Sequence, residues 1–191
     1  MSRFLRALAL LLLVSGCGGR VYEAPRDLDN ACAIVGEYPQ YLRAFRATER
    51  QWGVPVPVQM AFLYQESRFE SHARPPFRWA LGVIPIGRMS SAFGYSQALD
   101  GTWEEYQQDQ NAHRHRREDI RHATNFMGWY MHDTYEQLGI PLNDARNQYL
   151  AYHEGRTGYR NGTYRSKAWL MRVADDIATR ALTYDAQLRA C

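Results

Sequence analysis

The segment Val58-Gln59-Met60-Ala61-Phe62-Leu63-Tyr64 is apolar on nearly every side and runs directly into Gln65-Glu66-Ser67. Pro55 and Pro57 precede it, and Pro57 suits the first turn of a helix, where an N–H has no intrahelical partner. A helix that is apolar all round must be enclosed by other elements. The chain therefore has to build a helical cage around this segment, and a carboxyl group stands at its end. Burial disfavours the ionised form of a carboxyl group and raises its pKa. A carboxylic acid still protonated at neutral pH can act as a proton donor. On position alone Glu66 is either such a group or a surface glutamate that caps the helix or pairs with Arg68.

Candidates for the cage follow from apolar spacing. Tyr41, Leu42, Phe45 and Trp52, with Ala44 and Ala47 between them, predict a helix from Pro39 that Gly53 stops. A short helix through Trp103 and Tyr106 follows Gly101. A long amphipathic helix runs from Ile120 to Leu138 and ends at Gly139, with Trp129, Tyr130 and Tyr135 assigned to the core. Asp144 caps a helix containing Tyr149, Leu150 and Tyr152, with Gly155 at its end and a turn-rich stretch over 158–162. Trp169, Leu170, Val173, Ala174, Ile177, Ala178 and Ala181 mark a final helix. Pro75, Pro76, Gly82, Pro85, Gly87 and Gly94 make 74–95 a loop region with a short hairpin around Leu81 to Ile84. The expected class is α+β, predominantly α-helical, in one domain, which is what 191 residues allow. A scattered formal charge of +3 argues against a nucleic-acid binder.

Arg3 and Arg6, the apolar run Ala7 to Val14, and Ser15-Gly16-Cys17 have the layout of a secretory signal. Eight apolar residues fall well short of the ~20 that span a bilayer. Val14-Ser15-Gly16-Cys17 resembles a bacterial lipobox, which makes Cys17 the expected lipidation site and membrane anchor; an ordinary signal that happens to contain a cysteine is the alternative. Cleavage before Cys17 removes two arginines and no acid, taking the formal charge from +3 to +1. Residue 18 is Gly rather than Asp, which by resemblance to bacterial lipoproteins directs the chain to the periplasmic face of the outer membrane. The expected organisation is a signal peptide over 1–16, a lipidated tether over 17–36 and a catalytic domain over 37–191. Cys32 and Cys191 are then an even pair in an oxidising compartment, expected to form a disulfide that ties the start of the domain to its last residue; two free thiols are the alternative.

Three short segments change the weight given to Glu66. Glu66-Ser67-Arg68-Phe69, Gly94-Tyr95-Ser96-Gln97 and Ala151-Tyr152-His153-Glu154-Gly155 occur in that order, each at a helix end or in a loop. Together they resemble the soluble lytic transglycosylase domain, a lysozyme-like fold whose signature runs Glu-Ser-x-Phe, Gly-Leu-Met-Gln and Ala-Tyr-Asn-x-Gly. The resemblance covers roughly Tyr38 to Thr183. It implies cleavage of the MurNAc–GlcNAc bond of peptidoglycan glycan strands to 1,6-anhydromuropeptides, with no metal or cofactor. Glu66 matches the single catalytic acid/base, and Tyr152 the tyrosine that hydrogen-bonds and orients it. Ser67 matches a local hydrogen bonder. Gly94, Tyr95, Ser96 and Gln97 match the loop lining the sugar cleft, and Thr102 a threonine after it.

Several positions depart from that signature. Tyr95 and Ser96 stand for Leu and Met, His153 for Asn, Asp100 for Pro and Ser91 for Gly. Extra residues over about 74–89 include Phe77, Arg78 and Trp79, expected either to form a wall of the cleft or to be a scaffold loop packing its own aromatics. Glu154, Asp100 and Glu104 are candidate second carboxylates for a hydrolase, since ordinary glycosidases use two. A non-catalytic wall-binding lipoprotein is the other function class. His113, His115 and His122 cluster in a basic polar stretch, of which His113 to Arg117 is expected to be a solvated link or to meet acidic cell-wall polymers. His153-Glu154 begins like a zinc-protease motif, but position 157 is Thr where the second His is required. Asn161-Gly162-Thr163 fits a glycosylation sequon and is read as a turn.

Overall fold

The computed structural model describes residues 24–191. The proposed signal peptide over 1–16 and the lipidation site Cys17 lie outside the described residues. Seven α-helices, one 3-10 turn and a two-stranded hairpin make up the rest: α1 (Ala31–Glu37), α2 (Pro39–Trp52), α3 (Val56–Ser67), β1 (Phe77–Ala80), β2 (Ile84–Arg88), α4 (Asp100–Asp109), α5 (Ile120–Leu138), α6 (Ala145–Arg160), the 3-10 turn Thr163–Ser166 and α7 (Ala168–Leu188). The class is α+β and predominantly helical.

α3 is the hub. Val58, Gln59, Met60, Ala61, Phe62 and Leu63 are all buried, enclosed chiefly by α7 with α2 and α5 alongside. Its buried Gln59 donates through Nε2 to Phe45 O at 3.0 Å and Val54 O at 2.8 Å, while its Oε1 has no hydrogen-bond partner. The most extensive helix pairing joins α2 to α5. It depends on Gly128, where a Cβ would stand 2.5 Å from Trp52 Cδ1 and 2.6 Å from Thr48 Cγ2.

Predicted caps appear at α5 and α6. As expected, Asp144 accepts from Asn147 N–H and Gly139 ends α5 in the left-handed region; Asp119, not singled out in the sequence, caps the start of α5 by accepting from Arg121 N–H. Three expectations are corrected. Residues 31–36, assigned to the tether, form most of α1 and bury Ala31 and Ile34 completely, because Asn30 caps a short helix whose apolar side meets the core. Gly155 breaks α6 with φ 74° and ψ 157°, but helical turns resume through Arg160, so 158–160 is helical rather than loop. Trp129 and Tyr130 are buried, whereas Tyr135 is 44% exposed, one turn beyond His132, which meets Trp52 at the very end of α2.

The start of the described chain is fastened to α7. Ala31 N donates to Gln187 Oε1 at 2.7 Å, the Tyr184 hydroxyl to Leu28 O, and Arg180 pairs with Asp29 at 2.8 Å. A disulfide joins Cys32 to Cys191 across 159 residues, with the Cα atoms 6.1 Å apart. Closing so long a loop removes entropy from the unfolded chain, a stabilisation of about 2–4 kcal/mol. Cys191→Ser is expected to lower the unfolding free energy by about that amount, read as a lower urea midpoint with the native circular dichroism spectrum retained.

Candidate active site

α3 carries Glu66 to its last turn, and the backbone then reverses through two non-glycine residues with positive φ, Arg68 at 52° and Phe69 at 62°. A bulky residue in that region is strained unless its surroundings hold it there. Phe69 is fully buried and stacks on Tyr41 with ring centroids 5.8 Å apart, while the Arg68 guanidinium sits 3.8 Å above the Tyr64 ring. The aromatic of the Glu-Ser-x-Phe segment is thus an anchor that fixes the turn beyond Glu66. Ser67 is buried and donates to Leu63 O at 3.2 Å, within its own helix.

Glu66 itself is only partly exposed, and its carboxyl is pushed from the ordinary 4.5 up to about 7. Desolvation by burial is the main cause; the Tyr149 hydroxyl, hydrogen-bonding to the carboxyl, pulls the other way. Burial and the charge of Glu66 both raise the Tyr149 and Tyr152 phenols, so each stays a neutral donor at physiological pH. The resemblance implied that Tyr152 bonds Glu66. Instead its hydroxyl donates to Ser96 O at 2.6 Å, with its ring edge-on to Phe62 and Tyr130 at 5.7 and 5.1 Å. Tyr149, placed in the sequence only as an interior residue of its helix, takes the contact with Glu66. Its position three residues before Tyr152, on the same helix face, was the available signal.

The 94–97 loop is buried rather than spread along a surface. Gly94 has φ 77°, and a Cβ there would lie 2.3 Å from Arg117 O, so no other residue fits without moving the backbone. Gly94 N donates to Ala73 O at 3.0 Å and Tyr95 N to Arg117 O at 3.2 Å. Tyr95 is buried and shares a 3.0 Å hydrogen bond with Tyr41. Ser96 is fully buried, and its Oγ has no hydrogen-bond partner. Gln97 folds back on its own loop, its Nε2 donating to Ala73 O at 2.9 Å and Gly94 O at 2.8 Å. Expected to line a sugar cleft, these side chains instead brace the backbone beside Tyr152.

Arg117 also departs from its expected place in a solvated link. Its guanidinium donates to Ala98 O at 2.8 Å and Ser91 O at 3.2 Å and pairs with Asp100 at 2.7 Å. Asp100, where the signature has Pro, therefore serves as the outer half of a clamp on this loop. The other candidate carboxylates are also placed. Glu104 is exposed on α4. Burial raises Glu154, but hydrogen bonds from Lys167, Thr163 and His153 outweigh it and hold the carboxyl at about 2. Lys167 Nζ lies 2.7 Å from Glu154 Oε1 and His153 Nδ1 3.0 Å.

A separate groove of about 1010 Å³ opens between the starts of α2 and α5, lined by Arg43, Ser71, His72, Tyr95, Arg116 and His122 among others. Glu66 is not in its lining, but Tyr95 connects it to the loop beneath Tyr152. His115 and His122 stack at 4.1 Å; His115 Nδ1 bonds the Tyr106 hydroxyl at 2.7 Å and His122 Nδ1 accepts from Arg116 N at 3.2 Å. Burial holds both imidazoles below the usual histidine range. Among the described residues no three His, Cys, Asp or Glu side chains are grouped to hold a metal ion, and no helix is long and apolar enough to cross a membrane.

No curated protein matches this sequence significantly. A protein family described as the transglycosylase SLT domain matches residues 5–191. Because that match takes in α3 with Glu66, the 94–97 loop and the whole of α6, the chain belongs to the transglycosylase SLT domain family.

Proposed function

We propose that this chain is a lytic transglycosylase that cuts the MurNAc–GlcNAc bond of peptidoglycan with Glu66 as its only acid/base. The observation that carries the proposal is a partly exposed glutamate at a helix end whose carboxyl is desolvated enough to hold its proton to about pH 7. The neutral acid protonates the bridging oxygen as the C1–O bond breaks, which leaves an oxocarbenium-like sugar and a Glu66 carboxylate. The carboxylate then takes the proton of the muramyl 6-hydroxyl while that oxygen attacks C1, closing the 1,6-anhydro ring and restoring the acid. Because the nucleophile belongs to the same sugar, attack is unimolecular and needs no positioned water. Tyr149 steadies the transient carboxylate. Tyr152, held by the clamped 94–97 backbone through Ser96 O, is a positioning residue beside Glu66.

A hydrolytic mechanism with a second carboxylate gains no support from the side chains. Glu154 is committed to Lys167 and Thr163, and Asp100 to Arg117. The groove beside Tyr95 offers Arg43 to the carboxylates of stem peptides, while its Arg116 and Arg121 are paired with Glu118 and Asp119. Residues 1–17 support lipidation at Cys17 and a place on the periplasmic face of the outer membrane. They rest on the sequence pattern alone.

Glu66→Gln is expected to abolish release of anhydromuropeptides from purified peptidoglycan, read by mass spectrometry, while strand binding persists. Reducing-end products from the native protein would indicate a hydrolase, and intact bound strands an adaptor. The same substitution has a stability signature. Since the folded pKa of Glu66 lies above its unfolded value, the native state holds an extra proton between about pH 4.5 and 7 and loses stability as pH rises through that window. The loss is on the order of 3 kcal/mol above it. Glu66→Gln should therefore leave melting near pH 4.5 almost unchanged and raise it at pH 8. The native rate should fall as pH rises through about 7, the Glu66 value. Tyr149→Phe removes the group that lowers that value and should move this limb to higher pH, whereas Tyr152→Phe should reduce the rate without moving it.

A further inference from the structure

The β1–β2 hairpin is the one segment of the described chain where large apolar side chains are gathered in solvent. Leu81 is 90% exposed, Val83 74%, Met89 67%, Trp79 56%, Ile86 55%, Ile84 52% and Phe77 45%. Those seven stand within thirteen residues; the other four exposed large apolar residues of the described chain, Leu99, Tyr135, Trp169 and Leu182, are scattered and need no explanation. The two strands pair with each other, Trp79 opposite Pro85 and Ala80 opposite Ile84, and the hairpin projects from the helices rather than packing its own aromatics beneath them. Its aromatics do meet each other, Phe77 and Trp79 with ring centroids 6.3 Å apart, but both remain exposed.

We infer that this hairpin docks the domain onto a phospholipid bilayer surface, inserting its Leu81–Ile84 tip among the acyl chains. Charge is the first argument. From Ser71 to Leu99 the sequence has no acidic residue but has Arg74, Arg78 and Arg88, a sign that fits anionic headgroups. The order of side chains along the hairpin is the second. Leu81, Val83 and Ile84 form the tip, Trp79 and Ile86 follow, and Phe77 and Arg88 form the base, where Arg88 lies 4.2 Å over the Phe77 ring and donates to Pro75 O at 2.6 Å. Aliphatic tip, aromatic band and arginine base is the sequence of polarity met on leaving a bilayer core for its headgroups.

The chemistry also separates lipid from other occupants. A glycan strand presents hydroxyls, and Leu81, Val83, Ile84 and Ile86 offer them no hydrogen bond. A second copy adding a strand would meet Pro85 on one edge and the irregularity between Phe77 and Trp79 on the other, both of which blunt edge pairing. The chain outside the structure supplies the third argument. Ten residues separate Cys17 from Leu28, where the chain is fastened to α7, and reach at most about 36 Å, so a lipid on Cys17 would keep the domain that close to the membrane. Docking would then set the orientation of the site, because Ala73 and Gly94, at the hairpin's base, are bonded to each other beside Tyr152's partner Ser96.

The test uses the full chain reconstituted with vesicles of phosphatidylethanolamine and phosphatidylglycerol. Lipids brominated on the acyl chain should quench the tryptophan emission of the native protein more than that of Trp79→Phe. Amide exchange over 79–86 should slow about tenfold or more on adding vesicles. Leu81→Ser with Val83→Ser should lose both effects at an unchanged melting temperature, since those side chains are already in water. The inference is overturned if exchange is the same with and without vesicles, if it slows without lipid as protein concentration rises, or if only peptidoglycan strands slow it.

Discussion

Desolvation of the Glu66 carboxyl sets its proton affinity near neutrality, and desolvation is possible there because α3 has no polar face to lead water inward. An amphipathic helix would have left the same carboxyl beside solvent and ionised. The cost is a group that opposes folding whenever it is charged, a familiar sign that a position is shaped by chemistry rather than by stability. Tyr149 moderates that cost without removing it. The proton affinity that results suits both halves of an acid-then-base cycle.

Around that group the fold invests in rigidity. The strained turn at Arg68 and Phe69 holds only because Phe69 is locked against Tyr41. Tyr41 also bonds Tyr95, so one α2 side chain steadies both the turn after Glu66 and the loop opposite. Arg117 closes the arrangement from outside, bonding Ser91, Ala98 and Asp100 while its carbonyl fills the space beside Gly94. Departures from the family signature make sense in this setting. Asp100 gains an arginine partner that proline could not have offered, and Tyr95 gains a hydroxyl partner unavailable to leucine. His153 bonds Glu154 and lies between the Trp169 and Tyr149 rings, at 5.3 and 6.3 Å.

Much of this was legible beforehand. Gly53 and Gly139 marked helix ends, Asp144 marked a start, and the apolar sides of 39–52, 120–138 and 168–181 were readable from spacing because each buries one face against the same hub. The failures were at places where a distant partner overrode local pattern. Cys32 pointed to Cys191, but nothing near Gly18–Gly36 in the chain reveals that Gln187 and Tyr184 wait to order α1. Arg117 looked solvated because its neighbours are polar and basic, yet its partners come from a loop some twenty residues earlier.

What the sequence determined by itself was a helical cage about an apolar segment and a glutamate at that segment's end, since periodicity and burial are properties of consecutive residues. Which tyrosine faces the glutamate, which groups hold the 94–97 backbone, and that the 77–88 hairpin stands in solvent were decided only by tertiary structure. Those are relations between side chains brought together by packing. Tyr149 and Tyr152 are both aromatic positions on one helix face, and only the angle at which α6 crosses α3 assigns one to Glu66 and the other to Ser96.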